Sequence, residues 1–260
     1  MRRVVVTGMG VVSPLGVGVE RSWKALVEGQ SGIRRIESFD VSDIPTKIAG
    51  QVPRGEGAGE FNPLSLGPAK ELRRLSDFIL FAMAATREAV YHAGWRPTEE
   101  SELERTGVLI GSGIGGVSLI AENAIKLEKD GPRRISPYFI PASLINEASG
   151  VVSIEYGFRG PNHSVVTACA TGAHALGDAA RLIAIGDADV MIAGGTEAAT
   201  CRLTLAGFSL MRAISTSFND RPNEASRPWD RDRDGFVIGE GAGMVVLEEL
   251  EHARKRGANI

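Results

Sequence analysis

The chain is 260 residues long and 43% hydrophobic, with 29 Lys and Arg against 32 Asp and Glu for a net charge of -3. It can bury a sizeable core in one large or two modest domains, and its near-balanced charge excludes general nucleic-acid affinity, so a charged partner must meet a local patch. Cys169 and Cys201 are its only cysteines, too few for a disulfide framework or a thiolate metal site, which points to a reducing compartment; no segment approaches a membrane span, and Met1-Arg2-Arg3 leads straight into a strand instead of a signal peptide.

In chain order, Arg3 to Thr7 reads as a first strand around the apolar run Val4-Val5-Val6. Gly8 to Gly16 begins with the spacing of a dinucleotide fingerprint but breaks where the third glycine should fall, so it is expected to be a tight connection to a helix near 19–28. Proline, glycine and scattered charge between Phe39 and Gly67 predict an irregular surface excursion. A long helix is expected from about Ala69 to Ala93, stopped by Gly94 and Pro97, with Leu72, Leu75, Phe78, Ile79, Ala82 and Met83 on its buried face.

Gly107 to Gly116 reads as a strand, a glycine-rich turn and the start of an amphipathic helix. Gly111, Gly113 and Gly116 satisfy G-x-G-x-x-G, but the ribose-binding acid should end a second strand. The candidate, Asp130, follows Lys126-Leu127-Glu128-Lys129, a solvated helix end, which weighs against nucleotide binding. Gly131 to Pro137 is a loop bearing two exposed basic residues, and Pro141 to Tyr156 a helix closed by Gly157. Ala188 to Gly195 is a further buried strand.

Asp230, Asp232 and Asp234 imitate the start of a calcium loop. The twelfth position is Gly241, where a bidentate glutamate is needed, so these acids are expected to pair with the arginines between them. A glycine-interrupted strand and a helix through Arg256, capped by Gly257, close the chain, with a further strand expected after Ile260. Strand-helix alternation with continuous apolar strands predicts an α/β fold, its sheet mainly parallel and covered on both faces.

The chemically informative stretch is Val165-Val166-Thr167-Ala168-Cys169-Ala170-Thr171-Gly172. Two valines read as the end of a buried strand, and an apolar helix opens after Cys169, with Ala175, Leu176, Ala179, Ala180, Leu182 and Ile183 at near-helical spacing. A strand-to-helix corner holds its side chain out into space, and the free N–H groups of a helix start favour an anion there by about 0.3–1 kcal/mol. Cys169 is therefore either a nucleophile or, as free cysteine often is, a small core hydrophobe. No histidine is convincingly its base by position: His174, five residues on, is expected to pack against the neighbours of its helix, and His252, in a charged helix, to be solvated.

Several segments together resemble one family. Val4-Val5-Val6-Thr7-Gly8-Met9-Gly10, Gly160-Pro161-Asn162, Thr167-Ala168-Cys169-Ala170-Thr171-Gly172, Gly186-Asp187-Ala188-Asp189-Val190-Met191, and Arg227-Pro228-Trp229-Asp230 with Arg233-Asp234-Gly235-Phe236-Val237 are similar to the elongating β-ketoacyl-[acyl carrier protein] synthases. The similarity is closest to the type II form of dissociated fatty acid synthesis and runs the whole chain in order, apart from about 54–68.

The resemblance implies a thiolase-like αβαβα layered fold of two similar halves, each built on a mixed five-stranded sheet, that forms a homodimer. Residues 1–248 would be the N-terminal half, with the excursion at about 39–67, and 249–260 the start of the second. It implies that Cys169 accepts an acyl chain from acyl carrier protein, its own N–H contributing to the oxyanion site. A decarboxylating Claisen condensation with malonyl carrier protein would then give a 3-oxoacyl product and carbon dioxide. The two histidines and the lysine that support the enolate belong to the family's second half and are expected beyond Ile260.

By the same resemblance, Ile114, Phe139 and Phe208 line the acyl pocket, Phe139 reaching in from the partner subunit. Arg133 and Arg212, with Lys70, Arg73 and Arg74, form a basic rim for the acidic carrier protein. No cofactor, metal, nucleic acid or membrane is implied. The compartment would be a bacterial cytoplasm or, in a eukaryote, the mitochondrial matrix. A polyketide-type ketosynthase and an inactive fragment are the alternative readings.

Overall fold

A computed structural model describes residues 1–260. β1 (Val4–Ser13) hairpins into the two-residue β2 (Gly16–Val17), and α1 (Val19–Val27) follows as expected. The tract from Gly8 is thus not a connection, because β1 continues through it. Gly8 and Gly10 face a helix whose backbone lies directly on the strand, and a side chain at either position would collide with Ala89 and Ala93 or with Ala85. Glycine inside a strand marks such close backbone approach.

β3 (Arg34–Arg35) and β4 (Ile48–Ala49) form a separate small ladder within otherwise irregular chain. The 39–67 excursion is irregular as expected, yet it is not confined to the surface. Val41, Ile44, Ile48, Val52, Phe61 and Leu66 are buried, and Val41, Ile44 and Ala49 share a cluster with Leu205 and Ile214. The expected long helix is two, α2 (Ala69–Leu72) and α3 (Asp77–Ala93), because Ser76 is extended (φ -85°, ψ 162°) and restarts the helix. Its hydroxyl donates to the Ala142 carbonyl at 2.6 Å, fixing the break. Gly94, in the left-handed conformation (φ 60°), ends α3.

α4 (Glu100–Glu104) leads to β5 (Thr106–Gly111), and α5 (Val117–Asp130) ends with Asp130 on a helix. The helix expected over 141–156 is also two, α6 (Phe139–Ser143) and α7 (Glu147–Tyr156), separated by an extended Leu144 (φ -75°, ψ 132°). β6 (Asn162–His163) stops short of Val165 and Val166, which lie outside regular strand; Val166 is exposed. α8 (Thr171–Ile185), β7 (Val190–Glu197), α9 (Arg202–Leu210), β8 (Gly241–Glu249) and α10 (Leu250–Lys255) complete the chain.

The sheet runs β2-β1-β8-β7-β5-β6. β5 is parallel to β6 and β7, whereas β8 is antiparallel to both β7 and β1. The sheet is therefore mixed and not mainly parallel, because the chain returns from β7 to β8 beside its own course without a crossover to a parallel position.

α3 and α7 cover one face and α8 the other. Along β5 the alternation is direct: Val108 and Ile110 join Phe78, Ile79 and Phe81 of α3, while Leu109 joins Ala175, Ala179 and Ile183 of α8. Each of those fully buried large side chains of α3 contributes about 1.5–3 kcal/mol.

Candidate active site

Cys169 lies in a single 3-10 turn, Ala168–Ala170, that runs into α8, and its side chain is exposed. It is no core residue. The turn starts on a left-handed Ala168 (φ 52°), a conformation that costs an L-residue about 1–2 kcal/mol. Thr171 holds it there: its hydroxyl donates to the Ala168 carbonyl at 2.6 Å and accepts the Thr167 N–H at 2.8 Å. Such local strain at an exposed thiol is typical of a functional corner.

The strands beneath are cut to receive this corner. A side chain on Gly111 of β5 would collide with Thr171 and with the Val165 carbonyl 2.6 Å away, and one on Gly195 of β7 would stand 3.0 Å from the Gly172 Cα. Glycine there lets the start of α8 sit on the C-terminal ends of two parallel strands, the place where open α/β sheets bind their ligands.

The turn after β5 is organised by Glu197, at the end of β7. Its carboxylate accepts the Ser112 hydroxyl at 3.1 Å and the N–H groups of Gly113 and Ile114 at 2.9 and 3.0 Å. Burial raises its carboxyl above the usual range, against the opposing pull of the Ile114, Ser112 and Gly113 donors. The N–H groups that a phosphate would need are thus occupied, a second reason, with Asp130 on a helix, to reject a dinucleotide. Residue pattern alone missed Glu197; a carboxylate closing the apolar strand Val190–Thr196 was the available signal.

The four histidines serve other ends. His174 does not pack among the neighbours of its helix but is exposed, its Nδ1 2.7 Å from the Thr167 hydroxyl. Thr167 is short and polar and stands seven residues back, just before the Ala168–Ala170 turn, so the ring reaches back across the corner. His252 is not solvated: it is half-buried, its Nδ1 2.5 Å from a Glu248 carboxylate that has no exposed surface. His92 accepts the Met9 N–H, and His163 lies on β6. No three His, Cys, Asp or Glu side chains converge as a metal-ligand set.

Ile114 is 40% exposed at the tip of the turn after β5, Phe139 opens α6 half-buried, and Phe208 lies on α9 against the 36–49 cluster. Arg133 projects from the 3-10 turn Pro132–Arg134, and Arg212 follows α9 in a left-handed conformation (φ 55°). Lys70 is on α2, and Arg73 and Arg74 are in the break before α3. The Arg74 guanidinium lies 4.7 Å over the Tyr138 ring, which brings that break beside Phe139. None of these five basic residues forms an ion pair, unlike Arg54, Arg87, Arg105 and Arg202. The acids after Trp229 pair only in part as expected: Arg231 meets Asp232 at 3.5 Å, but Asp230 is held by Arg227 from outside the run at 2.7 Å, and Asp234 instead accepts the Thr216 and Ser217 N–H groups, because the turn folds back on 216–217.

Comparison with known proteins extends this geometry. The sequence profile of the family described as "Beta-ketoacyl synthase, N-terminal domain" matches residues 1–253. The chain is 59% identical to the 3-oxoacyl-[acyl-carrier-protein] synthase 2 of Rhizobium meliloti, over all of this chain and 62% of the relative. It is 53% identical to the mitochondrial 3-oxoacyl-[acyl-carrier-protein] synthase of Arabidopsis thaliana, over all of this chain and 59% of the relative. It thus spans about three-fifths of the length of these relatives.

Among solved structures, a β-ketoacyl synthase from Burkholderia phymatum superposes with a TM-score of 0.86 at 34% identity, covering all of this chain and 62% of that one. A type II polyketide acyl carrier protein in complex with its ketosynthase, bound to the hexaketide, gives 0.85 at 32%, covering all of this chain and 61% of the other.

Proposed function

Because the chain belongs to the β-ketoacyl synthase family, we propose that it carries the nucleophile of an elongating condensing enzyme of type II fatty acid synthesis. The Cys169 thiolate attacks the thioester carbonyl of an acyl carrier protein. The acyl–sulfur bond to the carrier breaks, the carrier leaves as its thiolate and recovers from water the proton that Cys169 gave up on ionising, and the chain is held as a Cys169 thioester. Malonyl carrier protein then loses carbon dioxide, and the resulting carbanion attacks that thioester. A carbon–carbon bond forms, the Cys169 thiolate leaves, and a 3-oxoacyl carrier protein results.

The observation that carries the reading is the exposed Cys169 on a strained turn at the start of α8, above the ends of β5 and β7. In that turn the Cys169 N–H belongs to an unsatisfied helix start and serves the tetrahedral oxyanion. Ile114, Phe139 and Phe208 line the acyl pocket in this reading, and the unpaired Arg133, Arg212, Lys70, Arg73 and Arg74 receive the acidic carrier. The 59% identity to a fatty acid enzyme, against 32% for the polyketide ketosynthase, favours the fatty acid role.

A homodimer belongs to the same reading. It is supported by the exposed β6 edge and by Ile120, Ile125, Leu127, Ile140 and Leu144, apolar and exposed on α5 and α6 and just after it. The compartment would be a bacterial cytoplasm or the mitochondrial matrix, and no helix is long and apolar enough to cross a membrane.

The test is intact mass after incubation with palmitoyl carrier protein. A gain of one acyl group in the wild type, absent from Cys169→Ser, supports the reading. A wild type that melts cooperatively yet gains nothing removes it for this chain.

A further inference from the structure

Glu197 is a half-buried carboxylate that the acyl-transfer chemistry does not use. No lysine, arginine or histidine lies within ion-pair distance of it. A charge removed from water without a counter-ion is costly unless donors surround it. Here its charge is spent mainly on one short segment: the Ser112 hydroxyl and the Gly113 and Ile114 N–H groups bond to it directly. Ser112 passes the tie along, its hydroxyl accepting the Gly115 N–H at 3.0 Å. The whole turn from Ser112 to Gly115 therefore hangs from one side chain.

Packing holds that turn on one flank only. Gly115 and Gly116 rest on Ile145 and Ser143, at the junction between α6 and α7. Gly113 faces the nucleophile's own corner, since a Cβ placed there would lie 3.0 Å from the Glu197 carboxylate and 3.5 Å from the Ala168 carbonyl. Behind the turn is a cleft of about 150 Å³ lined by Leu75, Phe78, Leu119 and Ala198 among others. Without Glu197, Ile114 is restrained only from the Gly115–Gly116 side, while the flank toward the Cys169 corner keeps no hydrogen bond to hold it.

We propose that Glu197 is a positioning residue that pins the Ser112–Gly115 turn, fixes Ile114 as a wall of the acyl pocket, and so sets the chain length that Cys169 accepts. The inference rests on the acyl-transfer reading above. A pocket wall that shifts by about an ångström alters discrimination by methylene count, where each misfitted methylene is worth about 10–200-fold. Chain-length preference is therefore the sensitive readout, and a merely structural carboxylate would leave it alone.

The experiment measures the rate of Cys169 loading, by intact mass, from carrier proteins charged with short, medium and long acyl chains. Glu197→Ala is expected to flatten the ratio between the best and worst chain by about tenfold. Glu197→Gln keeps an oxygen for the Gly113 and Ile114 N–H groups and offers its amide to the Ser112 hydroxyl, so it is expected to restore the wild-type profile. Ser112→Ala, which removes the hydroxyl's bonds to both Glu197 and Gly115 but leaves the carboxylate on the Gly113 and Ile114 N–H groups, is expected to shift the profile in the same direction as Glu197→Ala, and it decides the matter if Glu197→Ala does not fold. A wild type that discriminates by length, with Ser112→Ala and every folded Glu197 variant showing the same profile, overturns the role of Glu197 and leaves acyl transfer intact. A wild type that loads no chain at all overturns both.

Discussion

The hydroxyl of Thr171 donates to the carbonyl of Ala168 at 2.6 Å, across the residue that carries the thiol. That bond turns a left-handed alanine into a fixed pedestal for Cys169. Thr171→Val keeps the shape and removes the hydroxyl, leaving the Ala168 carbonyl and the Thr167 N–H without their partner. We expect a loss of about 1–3 kcal/mol in stability and roughly a hundredfold slower acyl loading, since small misplacement of a reacting group has that effect. Denaturant titration and intact-mass kinetics read the two.

Ala168→Gly tests the same corner in the opposite sense. Glycine takes a φ of 52° without steric cost, so the strain of about 1–2 kcal/mol is relieved against a smaller loss of unfolded-state entropy. The expected melting temperature is equal to or above that of the wild type, with loading retained. A clear drop in melting temperature would show that the corner is not strained.

Gly10 of β1 stands where α3 comes closest to the sheet, and any side chain there meets the Ala85 backbone. Gly10→Ala must push α3 off the strand, at a cost of about 1–3 kcal/mol or more. A comparable change at Gly243 of β8, where nothing lies near and the backbone is not left-handed, does not have that clash and separates the packing effect from a general glycine effect. Thermal unfolding of the two variants side by side makes the comparison.

Glu248 predicts the acid limb of stability. Burial pushes its carboxyl up, but Arg256, His252 and Thr7 outweigh it and hold the group at about 2, against an ordinary 4.5. Arg256 Nε and Nη2 donate to its two oxygens at 2.6 and 2.7 Å. A carboxyl held below its unfolded value contributes stability that is complete above pH 4.5 and is lost as pH falls from there through about 2. Glu248→Gln removes that acid-dependent loss and, by leaving the Arg256 cation without its partner, costs about 3–5 kcal/mol at neutral pH. Melting temperature against pH for both proteins shows the sign.

The unpaired arginines bear on partner recognition. If an acidic carrier docks on them, Arg133→Glu together with Arg212→Glu raises the KM for acyl carrier protein about tenfold and steepens with falling ionic strength, with little change in kcat. Thiol alkylation by a small neutral reagent should not respond, because it needs no docking. A KM that does not move would place the carrier elsewhere.

Local sequence determined a good part of this. Apolar runs located β1, β5, β7 and β8, Gly94, Gly157 and Gly186 closed α3, α7 and α8 in the left-handed conformation only glycine takes easily, and the small residues around Cys169 marked a tight corner. Helix continuity was not legible. Ser76 and Leu144 interrupt helical patterns where the break before α3 meets the end of α6, the Ser76 hydroxyl bonding to Ala142, and that contact lies 66 residues away in sequence.

Strand direction was equally beyond local reach, since β8 could pair with β7 and β1 only after the chain between had folded back. Glu197 and Ser112 are 85 residues apart and acquire a shared purpose only when β5 and β7 lie side by side. Residue type and spacing set which segments are strand, helix or corner, because those depend on near neighbours. Which side chains then meet depends on the burial of one common core, and only the assembled sheet decides it.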